Sequence, residues 1–323
     1  MTPVVVAAAL AAKLMQTPAP VPVGPLSLDQ TVAIAVRNAF AVRLQGSRVE
    51  QARQRSALAG AELGPRADIG LGLTRIQSPQ GQQFGDIFII TQPLYQRTFN
   101  GQIQLPVDIS GNLTRLRQAA QYNERASRRT FDAFVNDTRL NARSVYFNVL
   151  RARTLVGVQR QNVADATERL RQARLQFENA QIARVDVDRF DAQLVQAQSD
   201  LLVAQNNLVL AQQQFNFVLA RPIEAPVELV ETETLPPVPA DAEAIVPIAQ
   251  SQRPEVLAFE DQIRAFGYQA RALEAGLNPN LAVGVNYFYN FDAINRQPPD
   301  RATFTATLNI PVFDSGRTRA QVR

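Results

Sequence analysis

Asp186 and Asp188 form the acidic pair of this sequence whose spacing could serve chemistry, either as a catalytic carboxylate pair or as part of an acidic ring. Both acids fall where a long helix is predicted to begin. Asp186 is then a candidate N-cap, and Asp188 in the first turn would face the positive end of the helix dipole. This structural role explains both acids. It is therefore favoured over an acidic ring at this point. A catalytic carboxylate pair is disfavoured further, because no pocket-forming arrangement of strands and helices surrounds it.

Other side chains that commonly do chemistry are nearly absent. The 323 residues include no cysteine and no histidine, and Lys13 is the single lysine. Thiol nucleophiles, imidazole bases, His or Cys metal ligands and the lysine of a phosphate-binding loop therefore have no candidates outside the N-terminal tail. An enzyme is disfavoured, and no cofactor is expected. The net charge of +4 comes from arginines interleaved with acids, which also disfavours a nucleic-acid partner.

The N-terminus is apolar over a short stretch. Val4–Ala12 is a nine-residue apolar run, and the proline-rich stretch Thr17–Pro25 follows it. That length suits the core of a signal peptide, but Lys13 lies after the run instead of before it. A signal peptide and a flexible tail both stay open as interpretations. No apolar run reaches the roughly 18 residues of a transmembrane helix, so none is predicted.

The sequence contains an internal two-fold repeat. Ala61–Leu73 aligns with Ala275–Tyr287 at an offset of 214 residues, and a Pro-Val-x-x-Ser-Gly motif occurs twice at an offset of 205. Each copy reads helix, Leu-x-Pro, strand, loop, strand, Pro-Val-x-x-Ser-Gly. The residues predicted to form structural turns between these elements are Pro65, Pro279, Pro106, Pro311, Gly111 and Gly316.

The repeat divides the chain into four regions. Residues 1–25 are a signal-like, proline-rich tail, and residues 26–220 are a first structural repeat with a helix, a strand pair and a long helical hairpin. Residues 221–244 are a proline-rich acidic linker. Residues 245–323 repeat the helix, the strand pair and the start of the long helix. We therefore expect the second copy to be incomplete, with a second hairpin of about 110 residues to follow it.

Strands are predicted where apolar and polar residues alternate. The apolar positions of the first copy are Ile69, Leu71 and Leu73, then Phe99, Ile103, Leu105 and Val107. Those of the second copy are Leu281, Val283, Val285, Tyr287, Tyr289 and Phe291, then Phe304, Ala306, Leu308 and Ile310. The segment Gly85–Tyr95 does not alternate cleanly and receives no assignment. Such alternation suits either the wall of an outer-membrane barrel or a half-buried sheet in a soluble protein.

A long helical hairpin is predicted between the two strand pairs. Leu113–Asn179 is a 67-residue run without proline, and the tip of the hairpin is predicted at Phe177–Val187. Apolar residues recur on both sides of the tip with an average step of 3.5 residues, which is typical of two antiparallel helices in a left-handed coiled coil. One series is Ala142, Val149, Val156, Val163, Leu170 and Phe177 before the tip, and Val187, Leu194, Leu201, Leu208 and Phe215 after it. The other series, which alternates with it, is Val145, Ala152, Gln159, Ala166 and Ala173 before the tip, and Phe190, Ala197, Ala204, Ala211 and Val218 after it.

Four short strands are too few to close a barrel. In lipid an open sheet edge leaves unpaired backbone groups, each of which costs several kcal/mol. If these strands cross a membrane, several chains must each contribute four, and three chains would give an even-numbered barrel of about twelve. The long hairpins would then project from its rim as a helical tube. Such an assembly is a conduit without chemistry of its own.

In these respects the sequence resembles the TolC-like outer-membrane efflux proteins of Gram-negative bacteria, over residues 26–323. The resemblance covers the two-fold repeat, the two Leu-x-Pro steps from helix to strand and the spacing of residues at the hairpin tip. The residues that carry it are Leu63, Pro65, Leu277 and Pro279 at the steps, Pro311–Gly316 at the turn, and Phe177, Ala180, Asp186 and Val187 at the tip. The family usually has glycine where this sequence has Ala180.

The resemblance implies a fold that is mainly α with β. It combines a long antiparallel coiled-coil hairpin, part of an α-barrel, with transmembrane β-barrel strands, four per protomer, in a two-fold internal repeat. It implies a homotrimeric channel in outer-membrane lipid, with its helical part in the periplasm.

Such a channel passively conducts substrates of a tripartite efflux or type I secretion system, and its partners are a periplasmic adaptor and an inner-membrane pump. The adaptor-facing tip would be Ala180, Gln181, Ile182, Ala183, Arg184, Val185 and Asp186. A periplasmic adaptor or a coiled-coil scaffold is the alternative, but it leaves the two strand pairs unexplained.

Overall fold

The computed structural model describes residues 24–78, 80–85, 87–231, 242–293 and 298–322. The signal-like run Val4–Ala12 and residues 232–241 of the predicted linker lie outside these residues. The helices in chain order are α1 (Leu28–Asn38), α2 (Phe40–Ala61), α3 (Asn112–Glu178), α4 (Arg184–Val218), α5 (Ala242–Gln252), α6 (Pro254–Ala275) and α7 (Arg317–Val322). The strands are β1 (Arg66–Arg75), β2 (Gln80–Phe84), β3 (Ile87–Gln92), β4 (Tyr95–Val107), β5 (Asn280–Asn290) and β6 (Asp300–Asn309).

The chain divides into two compact units. The described residues of Met1–Arg48 and Arg129–Glu255 form the first unit, which contains most of the helical hairpin. Val49–Arg128 and Val256–Arg323 form the second unit, which contains the sheet. Each unit takes elements from both sequence repeats. The boundaries of the compact units therefore differ from those of the two sequence repeats.

The sheet of the second unit has four antiparallel strands in the order β1-β4-β5-β6. Strand β4 of the first repeat pairs with β5 of the second over ten residues, from Thr98 opposite Asn290 to Val107 opposite Leu281. The four strands predicted from alternation are confirmed, and the two repeats share one sheet. A hydrogen-bonded sheet buries the backbone polar groups of its inner strands, so neither strand pair would be stable in this form alone.

Two further strands lie in the loop between β1 and β4. Strands β2 and β3 form a separate antiparallel pair that includes part of Gly85–Tyr95, the segment left unassigned from the sequence. The turn between them includes Gly85, whose φ of +59° lies in the left-handed region that glycine adopts readily. The pair escaped prediction because Ile87–Ile90 is uniformly apolar, and a short run without alternation does not reveal its period.

The long hairpin is formed by α3, with 67 residues, and α4, with 35 residues. The heptad prediction is confirmed along this hairpin, because its series supply the buried positions that lie between the two helices. The fully buried members are Ala142, Val145, Val149, Val156, Leu170 and Ala173 on α3, with Ala204 and Phe215 on α4. Phe177, the last member before the tip, is an exception with 44% exposure.

A hydrophobic core closes the base of the hairpin in the first unit. Tyr146 and Phe215 are completely buried there, beside Leu26 and Leu219. The hydroxyl of Tyr146 hydrogen-bonds to the backbone carbonyl of Val230. Leu26 also joins the chain that leaves α4, because its N–H donates to the carbonyl of Glu228 at 2.9 Å. The segment before α1 is thereby tied to the segment after α4.

Within the second unit, an aromatic contact links a helix of the first repeat to a helix of the second. Tyr122 of α3 stacks on Tyr268 of α6, with ring centroids 5.3 Å apart and an angle of 13° between the rings. Arg125 lies over the Tyr122 ring at 5.0 Å, and Arg271 lies over the Tyr268 ring at 5.6 Å. Each arginine follows its tyrosine by three residues, so one helical turn presents both groups on the same face.

Candidate functional site

The four-stranded sheet has one apolar face that is open to the surroundings. Opposed residues of antiparallel strands point to the same side, so the pairing register assigns every side chain to a face. The apolar face carries Ala67, Ile69, Leu71 and Leu73 of β1, Phe99, Ile103, Leu105 and Val107 of β4, Leu281, Val283, Val285, Tyr287 and Tyr289 of β5, and Phe304, Ala306 and Leu308 of β6. Its charged residues, Arg75, Arg97 and Asp300, lie together at one end of the strands. Leu71 is 80% exposed and Phe304 is 79% exposed. A contiguous apolar surface of this kind needs an apolar environment or a partner.

The opposite face is polar and nearly uncharged. It carries mainly hydroxyl, amide and glycine residues, with Pro106, Ala282 and Phe288 as apolar exceptions. Arg66, Asp68 and Arg301 are the charged groups of its strands. Asn286 donates a hydrogen bond from its side-chain amide to the Asn100 amide oxygen at 2.7 Å, which joins β5 to β4. Such a face is suited to contact with water and polar solutes, and the apolar face is not.

Both outer strands of the sheet have an unpaired edge among the described residues. Strand β1 pairs with β4 alone, and β6 pairs with β5 alone. The edge of β1 runs from Arg66 to Arg75 and that of β6 from Asp300 to Asn309. An open edge beside an apolar face is a template for pairing with another strand.

An ion pair holds the first repeat to the second at one end of the sheet. Arg97 of β4 binds Asp292, which follows β5, through both its guanidinium and its backbone. The guanidinium approaches the two carboxylate oxygens at 2.8 and 3.1 Å, and the backbone N–H donates at 2.7 Å. This contact was not predicted, because it depends on β4 and β5 being neighbours.

At the opposite end, each Pro-Val-x-x-Ser-Gly motif contains an acid that caps the next helix. Asp108 accepts hydrogen bonds from the backbone N–H groups of Leu113 and Thr114 at 3.1 and 2.8 Å. Asp314 accepts from the backbone N–H groups of Gly316 and Thr318, both at 2.9 Å. The motifs are predicted from the sequence as turns, but the capping role of their carboxylates is not predicted. These carboxylates satisfy N–H groups that a helix leaves free at its start.

The structure also locates the six residues predicted to form turns. Pro65 and Pro279 directly precede β1 and β5, and Pro311 follows β6. Gly111 and Gly316 have φ angles of +71° and +80°. Pro106 differs from the prediction, because it lies inside β4 and not in a turn. It is tolerated there because β1 pairs only as far as Gln104, and a proline has no N–H to donate.

Acid should weaken the cap at the start of α3. Burial opposes ionisation of Asp108, but hydrogen bonds from Thr114 and Leu113 outweigh it and hold the pKa of Asp108 below its ordinary value. A lowered folded-state pKa gives stability that is present above the unfolded value of about 3.9 and lost as the pH falls through the folded value. We expect Asp108→Ala to cost about 1 kcal/mol of unfolding free energy at neutral pH. Urea unfolding followed by circular dichroism measures it.

The matched comparison uses variants that cannot titrate. Asp108→Asn should show a smaller loss of stability than the natural chain as the pH falls from about 5 through the lowered folded-state pKa of Asp108. Asp137→Asn, at an exposed position within α3, should leave the pH dependence of the unfolding free energy almost unchanged. Equal pH profiles for Asp108→Asn and the natural chain would contradict the role assigned to this cap.

The tip of the hairpin is a tight turn built around Ala180. This residue has a φ of +57°. Its N–H donates to the carbonyl of Phe177 at 2.9 Å, and that of Gln181 donates to the carbonyl of Gln176 at 2.8 Å. The two bonds form a Schellman motif, the usual end of a helix with a left-handed residue. Glycine is normally preferred at this position, and alanine adopts it here at a cost in free energy.

The acids near the tip are placed differently from the prediction. Helix α4 begins at Arg184 after Ala183 in the N-cap position, so the predicted N-cap Asp186 lies inside the first turn. Asp188 lies one residue beyond that turn and not within it. Asp186 pairs with Arg189 at 3.5 Å. The prediction was wrong because Ala183, the true N-cap, has no capping side chain, whereas Asp186 is the first residue after Ala180 with a side chain typical of an N-cap.

Glycine at position 180 should stabilise the tip. We expect Ala180→Gly to raise the unfolding free energy of the hairpin by about 1 kcal/mol, because the left-handed conformation then carries no Cβ penalty. Hydrogen exchange at the turn amides measures the local change. Ala192→Gly, at an exposed position inside α4, should have the opposite sign and cost about 1 kcal/mol. The assignment of strain to Ala180 fails if both variants lower protection equally.

Neither metal binding nor a helical membrane span is indicated by the described residues. Within those ranges, no three Asp or Glu residues approach one another as a metal site would require. In the same part of the chain, none of the helices combines the length and the apolar character needed to cross a membrane.

Comparison with known proteins identifies relatives of one kind. Residues 33–221 match the family model described as outer membrane efflux protein. The pyoverdine export outer membrane protein OpmQ of Pseudomonas putida is 28% identical over 91% of this chain and 63% of its own length. The outer membrane efflux protein BepC of Brucella suis is 25% identical over 58% of this chain and 41% of its own length. The chain thus spans less than two thirds of the length of either relative.

A solved structure shares the fold. Crystal structures of CusC, described in terms of folding and transmembrane channel formation, superpose with a TM-score of 0.77 at 17% identity. The match covers 91% of this chain and 68% of CusC. The arrangement of long helices and sheet strands predicted from the sequence is therefore the fold of the CusC structures.

Proposed function

The chain belongs to the outer membrane efflux protein family, and on this premise we propose that it forms part of the wall of an outer-membrane channel. The channel conducts substrates passively from the periplasm to the exterior, with no catalytic step. It serves a tripartite efflux or type I secretion system. OpmQ and BepC, which are named as export and efflux proteins of the outer membrane, support this proposal.

The observation that carries the proposal is the two-faced sheet. Its apolar face includes side chains more than half exposed, such as Leu71, Ile103 and Phe304, while the other face presents amides and hydroxyls. A wall between lipid and a water-filled lumen needs this division. The strands have 10 to 13 residues, close to the roughly 9–11 of a tilted strand that crosses a bilayer.

The open edges of β1 and β6 supply the reason for oligomerisation. Backbone groups left unpaired in lipid cost several kcal/mol each, so strand β1 of one copy must pair with β6 of another. Three copies with four strands each give a barrel of about twelve strands, an even number as such barrels require. We therefore assign the chain as a homotrimer in outer-membrane lipid.

The helical hairpin has a second apolar face that supports the same assembly. On α4, two exposed series recur every seven residues, at positions away from the seam with α3. They consist of Val195, Leu202 and Val209, and of Val203, Leu210 and Phe217. Leu210 and Phe217 line an open groove of about 930 Å³ together with Leu155 of α3. In the assembly this face packs against further helices of a helical tube in the periplasm.

The hairpin tip is the proposed contact with a periplasmic adaptor, which in turn meets an inner-membrane pump. The seven residues are Ala180, Gln181, Ile182, Ala183, Arg184, Val185 and Asp186. Val185 is 63% exposed although it is apolar, which suits a contact surface. Val185→Asp should leave the trimer intact and abolish export in cells that supply the adaptor and the pump. If the variant retains full export, Val185 does not take part in the contact with the adaptor.

Strand pairing between copies can be tested by crosslinking, because the chain has no cysteine of its own. The variant Leu71→Cys with Phe304→Cys places one thiol on each open edge strand, and a bis-maleimide should link copies into dimers and trimers in membranes. In the control, Leu105→Cys with Val283→Cys, the two residues oppose each other within one chain. That pair should link internally and yield no oligomer.

Fractionation separates this function from the alternative of an adaptor-like or scaffolding protein. A channel subunit should stay with the outer membrane during carbonate extraction and dissolve only in detergent. Release by carbonate, together with a crosslinking pattern of monomers alone, would favour a peripheral coiled-coil scaffold and contradict the channel.

A further inference from the structure

Phe288 is an exception on the polar face of the sheet. Among the residues of the four strands, all of which are described, it is the single aromatic or branched aliphatic side chain on that face. Its neighbours in sequence, Tyr287 and Tyr289, point to the apolar face. The hydrophobic effect gives no reason for a phenylalanine among amides and hydroxyls if this face only contacts water.

The register places Phe288 in a row with complementary groups. Gly70, Asn100, Phe288 and Arg301 oppose one another across the four strands. The Asn100 amide oxygen is occupied by Asn286, which leaves the Asn100 NH₂ group as a donor beside the ring. Gly70 has no side chain, and a Cβ at this position would touch only Asn100, at 3.9 Å, so no other residue covers the surface next to Asn100 on this side.

Arg301 supplies a cation at the other side of the ring. It is exposed, and within the described ranges of the chain no acid pairs with it. The acid of the same face, Asp68, belongs to β1, three strand spacings away. At about 4.8 Å per spacing the separation is roughly 14 Å, too far for a direct ion pair. The polar face therefore presents an aromatic ring between an amide donor and an unpaired guanidinium.

We propose that Phe288, Arg301 and Asn100 form a binding site for planar aromatic anions, such as aromatic sulfonates or carboxylates. The aromatic part of the ligand stacks on Phe288, and its anionic group accepts hydrogen bonds from Arg301 and Asn100. The inference rests on the proposed function, in which this face lines the lumen. The site would then select among the substrates that pass through the channel.

The test is equilibrium binding of naphthalene-2-sulfonate to the full chain in detergent, measured by calorimetry. Phe288→Leu should raise the dissociation constant about three- to tenfold, because the stacking partner is lost. Arg301→Gln should raise it by roughly tenfold, because a charge-assisted hydrogen bond is lost. Cyclohexanesulfonate, which has the charge but no aromatic face, should bind more weakly than the naphthalene compound and respond little to Phe288→Leu.

Tyr287→Leu is the matched control, since it removes the adjacent ring on the opposite face. It should leave the dissociation constant unchanged. Absence of saturable binding to the natural chain, an unchanged constant in Phe288→Leu, or an equal loss in Tyr287→Leu would each overturn the site. Binding to the detergent alone would be recognised by the second of these outcomes, because no substitution in the protein would then change the constant.

If Phe288→Leu does not fold, Asn100→Asp provides a second test of the binding site, in which the ring of Phe288 is retained. It should weaken naphthalene-2-sulfonate and strengthen naphthylmethylammonium, and an equal effect on both probes would overturn the site. Conductance in planar bilayers is a separate measurement of the channel itself. If the chain conducts but does not bind the probe, the proposed binding site is wrong and the proposed channel function stands. If the chain binds the probe but does not conduct, the proposed channel function is wrong.

Discussion

Replacing Ile103 by arginine is expected to prevent stable insertion of the sheet, whereas the same replacement at Gln102 is expected to be tolerated. The two residues are consecutive on β4, so they lie at nearly the same depth and point to opposite faces. Ile103 opposes Val285, and Gln102 opposes Asn286. A cationic residue on the lipid face near the midplane of a barrel costs about 2–4 kcal/mol in each copy, and one in the lumen does not.

The measurement is urea unfolding of the chain after it has folded into phospholipid vesicles. Because the chain has no tryptophan, circular dichroism and electrophoretic mobility are the suitable signals. Ile103→Arg should lose most of the folded fraction, and Gln102→Arg should remain within about 0.5 kcal/mol of the natural chain. Ile103→Leu keeps the side chain apolar and controls for a change of shape.

A soluble sandwich would respond differently to these substitutions. Its apolar face would be covered by protein, so the natural chain would fold without lipid or detergent, and the cost of Ile103→Arg would not depend on them. Equal losses for Ile103→Arg and Gln102→Arg would contradict the division of the sheet into a lipid face and a lumen face.

The features of the fold that repeat along the chain could be predicted from the sequence. Alternation at Val283, Val285 and Tyr287 identifies a strand and its apolar face, because successive side chains of a strand point to opposite sides. The seven-residue step from Val149 to Val156, with Ala152 of a second series between them, identifies the coiled coil, because only a repeated seam keeps two long helices in contact. Both predictions use one strand or helix at a time, and periodicity is sufficient for that purpose.

Features that need two neighbouring strands could not be predicted in this way. Arg97 and Asp292 are almost two hundred residues apart, and their contact follows from the pairing of β4 with β5. The row that contains Phe288 and Arg301 likewise depends on the exact register of β5 with β6. A shift of one residue would move either side chain to the other face, and alternation alone does not fix the register.

The local predictions that failed did so where an unusual residue occupies a special position. Ala183 is the N-cap of α4 and offers no side-chain hydrogen bond. Ala180 occupies a left-handed conformation that the sequence would normally mark with glycine. The helix boundaries at the tip are therefore set by the packing of the two helices and by backbone hydrogen bonds. They could not be predicted from the sequence, because the usual capping residues are absent.

Phe215 and Phe217 lie two residues apart on α4, and their substitution by alanine should have different effects. Phe215→Ala should lower the stability of the hairpin, and Phe217→Ala should weaken the assembly of copies. Phe215 is completely buried in the core at the base of the hairpin, against Tyr146 and Leu219. Phe217 is 69% exposed and lines the groove on the outer face. Phe215→Ala should cost about 3–5 kcal/mol of unfolding free energy, the usual loss for a large aromatic side chain removed from a core.

Phe217→Ala should leave the unfolding free energy of the dissociated chain within about 0.5 kcal/mol of its natural value, because an exposed ring has little burial to lose. Its effect should appear in the oligomer, since the groove that it lines is proposed to be covered by other helices. Crosslinking yield in membranes reports that loss, and circular dichroism of the dissociated chain in detergent reports the loss caused by Phe215→Ala. If Phe217→Ala forms trimers as well as the natural chain does, the outer face of α4 does not contribute to assembly, and the open strand edges alone must hold the copies together.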